Sequence, residues 1–577
     1  MPKLPQIRTH KNYEKFKKIR KATDLKIKPN PFLRDWVQLR YYQVIGVMHL
    51  LLLNRMVLGD GTGLGKTLQV IATYCYLRNA DSRMKMLIIC PKSATSQWVD
   101  EFEKFTEGLN VSRLVNMGKQ SRVDQYKAFW EDPDQHVLVM HYYFLRADFR
   151  LYEPYMEGKR FTLILDEVTA VKTHTSKTHK AAKVVSKDFA NRCYGLTATL
   201  LKNNLEEGWG IYKVVHPNLF SGITKFRDTY CIQKKVKRGG RNIPIVVGYK
   251  NIDHFRRYID PFFIGRNKYD VSTELPDLIT KEVEVGMSDA QWALYGEALG
   301  ETLTIRDTST GEEVEKEMTD LTRLAYFQQI VNSPELLGMD GASEKEEEFY
   351  RIVQEELSDE KIVVYSKSKK MINILERGLK LRDIPTARIT GDENEYQRTV
   401  NKLMFQEDME ALKRWAVSHL GKEVDPRIKR SVVRSCRHQI QDLKAKNFPR
   451  VILLTPAGTE ALNLQRASSF IFFDSPWSPG DYDQLLGRMI RIGSIHEAVL
   501  AIHLTCKGTI DDHILVKLRQ KKKVISQVLG EQTKGALEFE KDSSVASLMQ
   551  SIKHDAAAFS RGGKAALMKR RVNERDS

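Results

Sequence analysis

The stretch DGTGLGKT, Asp60 to Thr67, follows the short apolar run Met56 to Leu58 and opens onto LQVIATYCYL. This order predicts a strand, a glycine-rich turn and a helix. Such a turn leaves successive backbone N–H groups to cradle phosphate oxygens, with Lys66 on the β- and γ-phosphates and Thr67 on Mg²⁺. The general phosphate-loop pattern takes Gly at position 60, where this chain has Asp. The stretch predicts a nucleotide site that departs from the pattern at one position.

Length and residue types limit the class of protein. A chain of 577 residues is too long for one hydrophobic core, so several folding units are expected. No stretch approaches the ~20 apolar residues of a membrane span, and the basic N-terminus has no apolar segment of a secretory signal behind it. The six cysteines form no CxxC pair and no zinc-spaced cluster, which is typical of a reducing compartment. We expect an intracellular, cytoplasmic protein.

The charge balance indicates the partner. The chain has 92 basic and 73 acidic side chains, a formal net charge of +19. A surplus of this size favours a polyanion, with nucleic acid first. A basic enzyme that ignores nucleic acid is the alternative that charge alone leaves open.

Short apolar runs alternate with helical patterns in two blocks, which predicts an α/β fold with two parallel sheets. The first block has strand-like runs at 86–90, 137–140, 161–166 and 194–199. The second has them at 361–366, 386–390, 451–455, 470–474 and 501–505. The predicted organisation is a basic N-terminal segment over 1–30, a first lobe over 31–204, helical protrusions and a linker over 205–345, a second lobe over 346–515 with a helical insert at 407–446, and a C-terminal brace and basic tail over 516–577.

The run FTLILDEVTA places Asp166 and Glu167 where an apolar strand ends. Doubly wound sheets put ligand-facing residues at this position. Asp166 can hold Mg²⁺, partly through water, and Glu167 can polarise an attacking water, so the pair suits phosphoryl transfer. The alternative is an ordinary solvated strand end, since Asp-Glu after an apolar run is common.

The order of these and further phrases resembles helicase superfamily two. LRYYQVIG (39–46), the glycine-rich loop, PKSATSQW, DEVT (166–169), LTAT (196–199) and QLLGRMIRIG (484–493) come in the sequence of that superfamily. Within it, DGTGLGKT, LTATLLKNNLEE and IVNSPELL resemble the Swi/Snf-type double-stranded DNA translocases over roughly residues 31 to 530. Asp60 is the residue that this group carries at that place.

The resemblance implies two RecA-like lobes and a set of residue roles. Gln43 would bind adenine, so ATP is the expected nucleotide with Mg²⁺ as its metal. From the second lobe, Arg488 and Arg491 would reach the γ-phosphate, and guanidinium groups suit planar oxygens. Gln484 would order the phosphates. The loop contacts to nucleotide would come from Asp60, Gly61, Thr62, Gly63, Leu64, Gly65, Lys66 and Thr67, and the DNA contacts from Lys92, Ser93, Thr455 and Gly458.

Some features depart from the group or extend it. DEVT puts Thr169 where a ring or amide often links ATP state to the neighbouring motif, which bears on coupling and leaves the chemistry intact. A hairpin with Gly239 and Gly240 at its turn carries Lys234, Lys235 and other basic residues that could grip a duplex or could form a solvated face. The compact form resembles bacterial or phage-encoded members.

The expected function is ATP-driven translocation on double-stranded DNA, with remodelling of branched DNA or protein–DNA complexes. One alternative is a strand-separating or branch-migrating helicase in replication, recombination or repair. Another is an ATP-gated DNA-binding scaffold with little turnover. The intact set Lys66, Asp166, Glu167, Arg488 and Arg491 speaks against the scaffold.

Overall fold

The computed structural model describes most of the chain. Its segments are 18–20, 25–115, 118–201, 204–238, 241–266, 271, 275–306, 311–420, 436, 448–458, 462–491, 494–529 and 537–538. The predicted N-terminal segment, hairpin turn, helical insert and basic tail lie wholly or partly outside these segments. Within the described part, no helix is both long and apolar enough to cross a membrane.

The chain forms two compact units, one of residues up to Leu275 together with 522–539, the other running from Pro276 to Lys521. Each unit is built on its own parallel sheet. The predicted α/β class with two RecA-like parallel-sheet lobes is confirmed.

The sheet of the first unit has seven parallel strands, in the order β3-β4-β2-β5-β6-β1-β9. The strands of this unit are β1 (Arg55–Leu58), β2 (Lys85–Cys90), β3 (Val111–Arg113), β4 (Val137–His141), β5 (Phe161–Asp166), β6 (Arg192–Leu196), β7 (Cys231–Arg238), β8 (Arg241–Tyr249) and β9 (Phe263–Ile264). β7 and β8 form a separate antiparallel hairpin, which is the predicted basic hairpin.

Both faces of the first sheet are buried. Along β2, Met86 and Ile88 enter one hydrophobic cluster while Leu87 and Ile89 enter another. Residues alternate between faces along a strand, so a continuous apolar run is what a sheet covered on both sides requires. The helices of this unit are α1 (Tyr41–Leu52), α2 (Lys66–Ala80), α3 (Thr95–Phe105), α4 (Lys119–Glu131), α5 (Tyr142–Ala147), α6 (Phe149–Met156), α7 (Lys177–Val184), α8 (Leu205–Val215), α9 (Ile223–Tyr230) and α10 (Ile252–Ile259).

The second unit has a six-stranded parallel sheet, in the order β10-β17-β16-β13-β15-β14. Its strands are β10 (Asp277–Val285), β11 (Thr302–Arg306), β12 (Glu313–Glu317), β13 (Ile362–Tyr365), β14 (Thr386–Ile389), β15 (Val451–Leu454), β16 (Ser469–Phe472) and β17 (Ala498–Cys506). β11 and β12 pair with each other as a small antiparallel hairpin. Further along the chain, β18 (Leu537–Glu538) pairs with β8 in the first unit.

The helices from residue 276 onward cover the second sheet in the same way. Along β13, Val363 and Tyr365 join one hydrophobic cluster, and Ile362 and Val364 join another. The helices are α11 (Asp289–Glu297), α12 (Asp320–Asn332), α13 (Glu344–Arg351), α14 (Lys369–Lys380), α15 (Glu395–Gln406), α16 (Met409–Leu420), α17 (Pro479–Leu486) and α18 (Ile510–Leu529).

The interval 205–345 differs from the sequence-based expectation. It was expected to form helical protrusions and a linker, yet it contributes a strand to each sheet. β9 pairs with β1, and β10 pairs with β17 along nine residues. Both strands lie at a sheet edge: β9 has only two residues, and β10 is largely exposed with charged positions. Neither has the long apolar run that marks a central strand.

Candidate nucleotide site

The glycine-rich loop connects β1 to α2, as predicted. Gly63 and Gly65 have φ of 87° and 73°, the left-handed region that side chains with a Cβ rarely adopt. Gly65 precedes the first residue of α2, and a Cβ at this position would lie 2.5 Å from Nε2 of Gln43. Glycine is required there by both the backbone and the contact.

Lys66, the first residue of α2, folds back across the loop. Its ammonium group donates to the carbonyl oxygens of Asp60 at 2.7 Å and Gly61 at 3.3 Å. The cation is therefore held against the loop that the sequence predicted it to serve. The N–H of Gly61 donates to the carbonyl of Arg266 at 3.0 Å, so this predicted phosphate donor is engaged within the protein.

Gln43 lies beside the loop although 21 residues separate it from Leu64. Its Nε2 donates to the carbonyl of Leu64 at 3.2 Å, and its Oε1 accepts from the N–H of Arg40 at 2.9 Å. The second bond satisfies the backbone N–H of Arg40, the residue that precedes α1. The amide thus fixes α1 to the loop, while its contact with adenine stays a prediction.

Asp60 is fully buried and paired. Its Oδ1 accepts from Nε of Arg266 at 2.8 Å, and its Oδ2 accepts from Nη2 of Arg266 and from Nε2 of Gln69 at 3.0 Å. Because both oxygens are occupied and none of the side chain is exposed, the carboxylate supports the loop from within. The predicted contact of Asp60 with nucleotide can involve its main chain only.

Asp166 ends β5, and its carboxylate receives two hydrogen bonds. Trp98 Nε1 donates to Oδ2 at 2.8 Å, and the N–H of Glu167 donates to Oδ1 at 3.0 Å. Burial, followed by the charge of Glu167, raises the pKa of Asp166 to about 6, against the lowering effects of the Trp98 bond and the Lys66 charge. In the sheet only β6 separates β5 from β1, and all three strands are parallel, so this strand end and the loop lie at the same sheet edge.

Glu167 has an unusual backbone. Its φ of 49° and ψ of 57° lie in the left-handed region, and it immediately precedes the short 3₁₀ turn Val168–Val171. A side chain in this conformation costs of order 1–3 kcal/mol and is typical of functional positions. The sharp turn directs two adjacent carboxylates to the same end of the sheet.

The predicted DNA contacts differ in exposure. Lys92 is exposed and Ser93 half-buried on the turn Lys92–Ala94 that follows β2. Thr455 and Gly458 are buried on the turn that follows β15, where the N–H of Gly458 donates to the carbonyl of Thr455 at 2.8 Å. The exposed members of that second turn are Pro456 and Ala457.

The predicted arginines lie in the second unit, just after α17. Ser478 caps this helix by accepting from the N–H of Asp481, and Gln484 is half-buried on it. Arg488 is 7% exposed, and its carbonyl accepts from the N–H of Leu464 at 2.9 Å. Arg491 is half-buried and donates from Nε to the carbonyl of Gly487 at 2.9 Å.

Two family descriptions match the sequence. Residues 42–336, more than half of the chain, match the SNF2-related domain, and residues 428–493 match the helicase conserved C-terminal domain. The chain belongs to the SNF2 family. The Swi/Snf-type resemblance drawn from the motifs is confirmed.

Several SNF2 relatives are similar along most of the chain. It is 26% identical over 533 residues to the TATA-binding protein-associated factor MOT1 of Saccharomyces cerevisiae, covering 86% of this chain and 28% of that protein. It is 26% identical over 531 residues to the chromodomain-helicase-DNA-binding protein 1-like of Mus musculus, covering 88% and 52%. The chain thus spans about half or less of these relatives. The solved Sulfolobus solfataricus SWI2/SNF2 ATPase core in complex with dsDNA matches with a TM-score of 0.38 at 21% identity, covering 87% of this chain and 94% of that one.

Sequence reasoning missed four side chains at the site of this SNF2 protein. Arg266 and Gln69 hold Asp60, Trp98 binds the Asp166 carboxylate, and Tyr142 donates to the Asp166 carbonyl at 2.8 Å. The one signal was Asp60 itself, because a carboxylate directly after a buried strand needs a cationic partner. Nothing in the sequence indicated which of the basic residues would supply it.

The residues fit a nucleotide with Mg²⁺. Among the described residues, no group of three or more His, Cys, Asp or Glu side chains is placed to hold a metal ion. Thr67 and Asp166, the predicted Mg²⁺ ligands, would supply two oxygen donors, and phosphate oxygens and water would supply the rest, which is how protein sites usually bind Mg²⁺. Burial is the main cause of the raised pKa of Asp166, and the charge of Glu167 adds to it.

Proposed function

We propose that this chain hydrolyses ATP to move on double-stranded DNA. The observation that carries the proposal is that the glycine-rich loop after β1 and the Asp166–Glu167 end of β5 lie at the same edge of one parallel sheet, with only β6 between them, in an SNF2-family chain. The name of the chromodomain-helicase-DNA-binding protein 1-like agrees with a helicase-type protein that binds DNA. Remodelling of branched DNA or protein–DNA complexes is the finer part of the proposal.

Within the first unit, each polar residue has a distinct task. Lys66 moves its ammonium from the carbonyls of Asp60 and Gly61 to the phosphates, a short exchange of acceptors. Thr67 and Asp166 would hold Mg²⁺, and the chemistry that this cation would supply is neutralisation of phosphate charge. Glu167 orients the attacking water and accepts its proton. These tasks are the positioning and electrostatic stabilisation that phosphoryl transfer requires.

The second unit supplies the remaining positive charge. Arg488 and Arg491 stabilise the charge that develops on the transferred phosphoryl group, and Gln484 orders the phosphates. Arginines in this role are worth roughly 10³ to 10⁵ in turnover. Because the predicted set is divided between two units, we expect turnover to require both of them.

The net charge of the chain and the exposure of one predicted contact residue support DNA as the partner. A net charge of +19 and the exposed Lys92 favour a phosphate backbone over base edges. We expect binding to tolerate any sequence and to weaken steeply as salt rises.

The first test is ATP hydrolysis against a panel of duplex, single-stranded, forked and four-way DNA, each in a salt series. Duplex DNA should stimulate hydrolysis more than single strands, and stimulation should fall with salt. Stronger stimulation by single strands would overturn the translocase assignment. Displacement of a triplex strand without unwinding of a fork separates translocation from strand separation.

A further inference from the structure

We propose that Arg266 is a positioning residue that fixes the phosphate-binding loop through Asp60. This inference rests on the proposed function, since it assigns a role in binding ATP. Arg266 follows β9, which the chain reaches only after an excursion through α8, the basic hairpin and α10. It lies more than 200 residues from the loop it contacts.

The ion pair is bidentate and buried. Arg266 is 14% exposed and Asp60 is not exposed at all, and the fork of the guanidinium meets both carboxylate oxygens. Paired donors in a fixed plane set the orientation of the carboxylate as well as its charge. The geometry therefore fixes the first residue of the loop in rotation and in position.

Main-chain hydrogen bonds also join the loop to the segment that follows β9. Gly59 N–H donates to the carbonyl of Ile264 at 2.6 Å, and Gly61 N–H donates to the carbonyl of Arg266 at 3.0 Å. In return, Arg266 N–H donates to Oδ1 of Asp60 at 3.2 Å. The first half of the loop is thus bonded to the segment after β9 as if the parallel sheet continued into the loop.

Arg266 also contacts α1 beside Gln43, the predicted adenine contact. Its Nη1 donates to the carbonyl of Tyr42, its guanidinium lies 5.4 Å from the ring centre of Tyr42, and Nη2 donates to Oε1 of Gln69 at 3.1 Å. Tyr42 precedes Gln43, the predicted adenine contact. A Cβ on Gly46 would lie 1.8 Å from Oε1 of Gln69 and 3.1 Å from Nη2 of Arg266, so α1 approaches this cluster without a side chain between them.

One guanidinium thus fixes three elements relative to each other: the loop, α1 and α2. Loss of its fork changes the relative placement of the adenine contact and the phosphate contacts, and an error of about 1 Å in such placement can cost about 10²-fold. The expected effect is on ATP binding first.

The test compares Arg266→Lys with Arg122→Lys. Arg122 forms a second buried bidentate pair in the same unit, with Asp148, at 2.6 Å and 3.1 Å and with exposures of 15% and 4%. Lysine keeps the charge in both variants and removes the fork. Melting temperature, KM for ATP and kcat are measured for both variants and the unaltered chain.

We expect similar losses of melting temperature in the two variants. Arg266→Lys should raise KM for ATP about tenfold or more, which corresponds to about 1.4 kcal/mol, and Arg122→Lys should leave KM within about twofold. Equal KM values in the two variants would overturn the positioning role, as would a loss of kcat alone in Arg266→Lys.

A second variant covers the case in which Arg266→Lys does not fold. Asp60→Asn with Arg266→Gln replaces the ion pair by neutral amides, and the same rise in KM is expected. An unchanged KM in this double variant would contradict the proposal. If the unaltered chain neither hydrolyses ATP nor gains melting temperature with it, the proposed function fails, and that result differs from every outcome above.

Discussion

Two aspartates follow apolar strands in the two units, and the structure uses them in opposite ways. Asp166 ends FTLILD in the first sheet, and Asp474 ends FIFFD in the second. Asp166 is partly exposed, with a pKa raised to about 6 by burial and by the neighbouring charge of Glu167. Asp474 is 1% exposed and is surrounded by donors.

The donors around Asp474 come from three parts of the second unit. Ser366 Oγ donates to Oδ2 at 2.6 Å, Lys367 N–H donates to Oδ1 at 2.8 Å, and Asn332 Nδ2 donates to Oδ2 at 3.2 Å. Asn332 in turn accepts from Lys345, which pairs with Asp511 at 2.6 Å and is not exposed. This carboxylate joins β13, β16 and α12.

The comparison separates a functional carboxylate from a structural one. A structural carboxylate has its acceptor capacity filled by the protein, and a catalytic one keeps capacity and negative charge for a ligand. The sequence pattern is the same in both. The difference lies in the neighbours, which come from distant parts of the chain.

The largest expected effect is on turnover. Glu167→Gln removes the group that accepts the proton and should lower kcat about 10²- to 10⁴-fold. ATP binding, measured by the ligand-induced rise in melting temperature, should remain. The matched control is Glu393→Gln, which loses a 2.7 Å pair with Arg388 in the second unit. Unchanged turnover in Glu167→Gln would remove Glu167 from the mechanism.

Substitution by alanine should lower the free energy of unfolding much more at Asp474 than at Asp166. Asp474→Ala leaves three buried donors without their acceptor and should lower the free energy of unfolding by about 3 kcal/mol. Asp166→Ala loses two hydrogen bonds, but it also removes the unfavourable burial of a charge. The free energy of unfolding should therefore fall by about 1 kcal/mol or less. Denaturant midpoints measure both. Equal losses would contradict the division between structural and functional aspartates.

The raised pKa of Asp166 predicts a pH-dependent difference from Asp166→Asn. The pKa of Asp166 is about 6 in the folded protein, against an ordinary value of 3.8, so between these pH values the folded state binds more protons than the unfolded state. The contribution of Asp166 to the free energy of unfolding therefore falls as pH rises through this range. Above pH 6, Asp166→Asn should be the more stable protein, on the order of 2 kcal/mol, and near pH 4 the two should converge.

His49 and His503 act in the other direction over part of this range. Burial lowers the pKa of each to about 4, so their contribution to stability increases from pH 4 towards 6.5. Both proteins carry these histidines, and the difference between them isolates Asp166. A difference that stays constant with pH would refute the shifted pKa.

The smallest expected effect comes from Trp98→Phe. It removes the indole donor that lowers the pKa of Asp166, so that pKa should rise by about one unit. In protein without ATP and Mg²⁺, the pH range over which stability depends on Asp166 should therefore shift upward, and denaturant midpoints measured across pH report it. Ser366→Ala, which removes a donor from Asp474, should leave this range in place. The same shift in both variants would mean that the range does not report Asp166.

Much of the fold was predictable because its signals are local. Eight of the nine strand-like runs correspond to interior strands of the two sheets, since strands covered on both faces must be apolar throughout, and the ninth corresponds to the edge strand β14. The edge strands β9 and β10 escaped prediction because partial exposure removes that signal. Helix bounds near the loop also followed from local pattern, with Gly65 directly before α2.

The candidate site was predictable in part. The turn that carries Lys66 and the strand end that carries Asp166 and Glu167 were predictable from their neighbours in sequence, and both are present. The position of Asp60 in the loop was predicted correctly. The inward orientation of its side chain was not predictable, because its partner Arg266 lies far along the chain. Thr455 and Gly458 are buried on a turn whose exposed residues are Pro456 and Ala457, and their contact with DNA stays a prediction.

The sequence by itself determined the family, the two parallel sheets and the residues of the phosphate loop, because these depend on short-range pattern and spacing. The tertiary structure alone decided what each charged group faces. It directed the Asp60 side chain to Arg266, gave Asp474 three donors and gave Asp166 two donors beside Glu167. The physical reason is that burial and pairing set the free energy of a charge, and both depend on residues that only folding brings together.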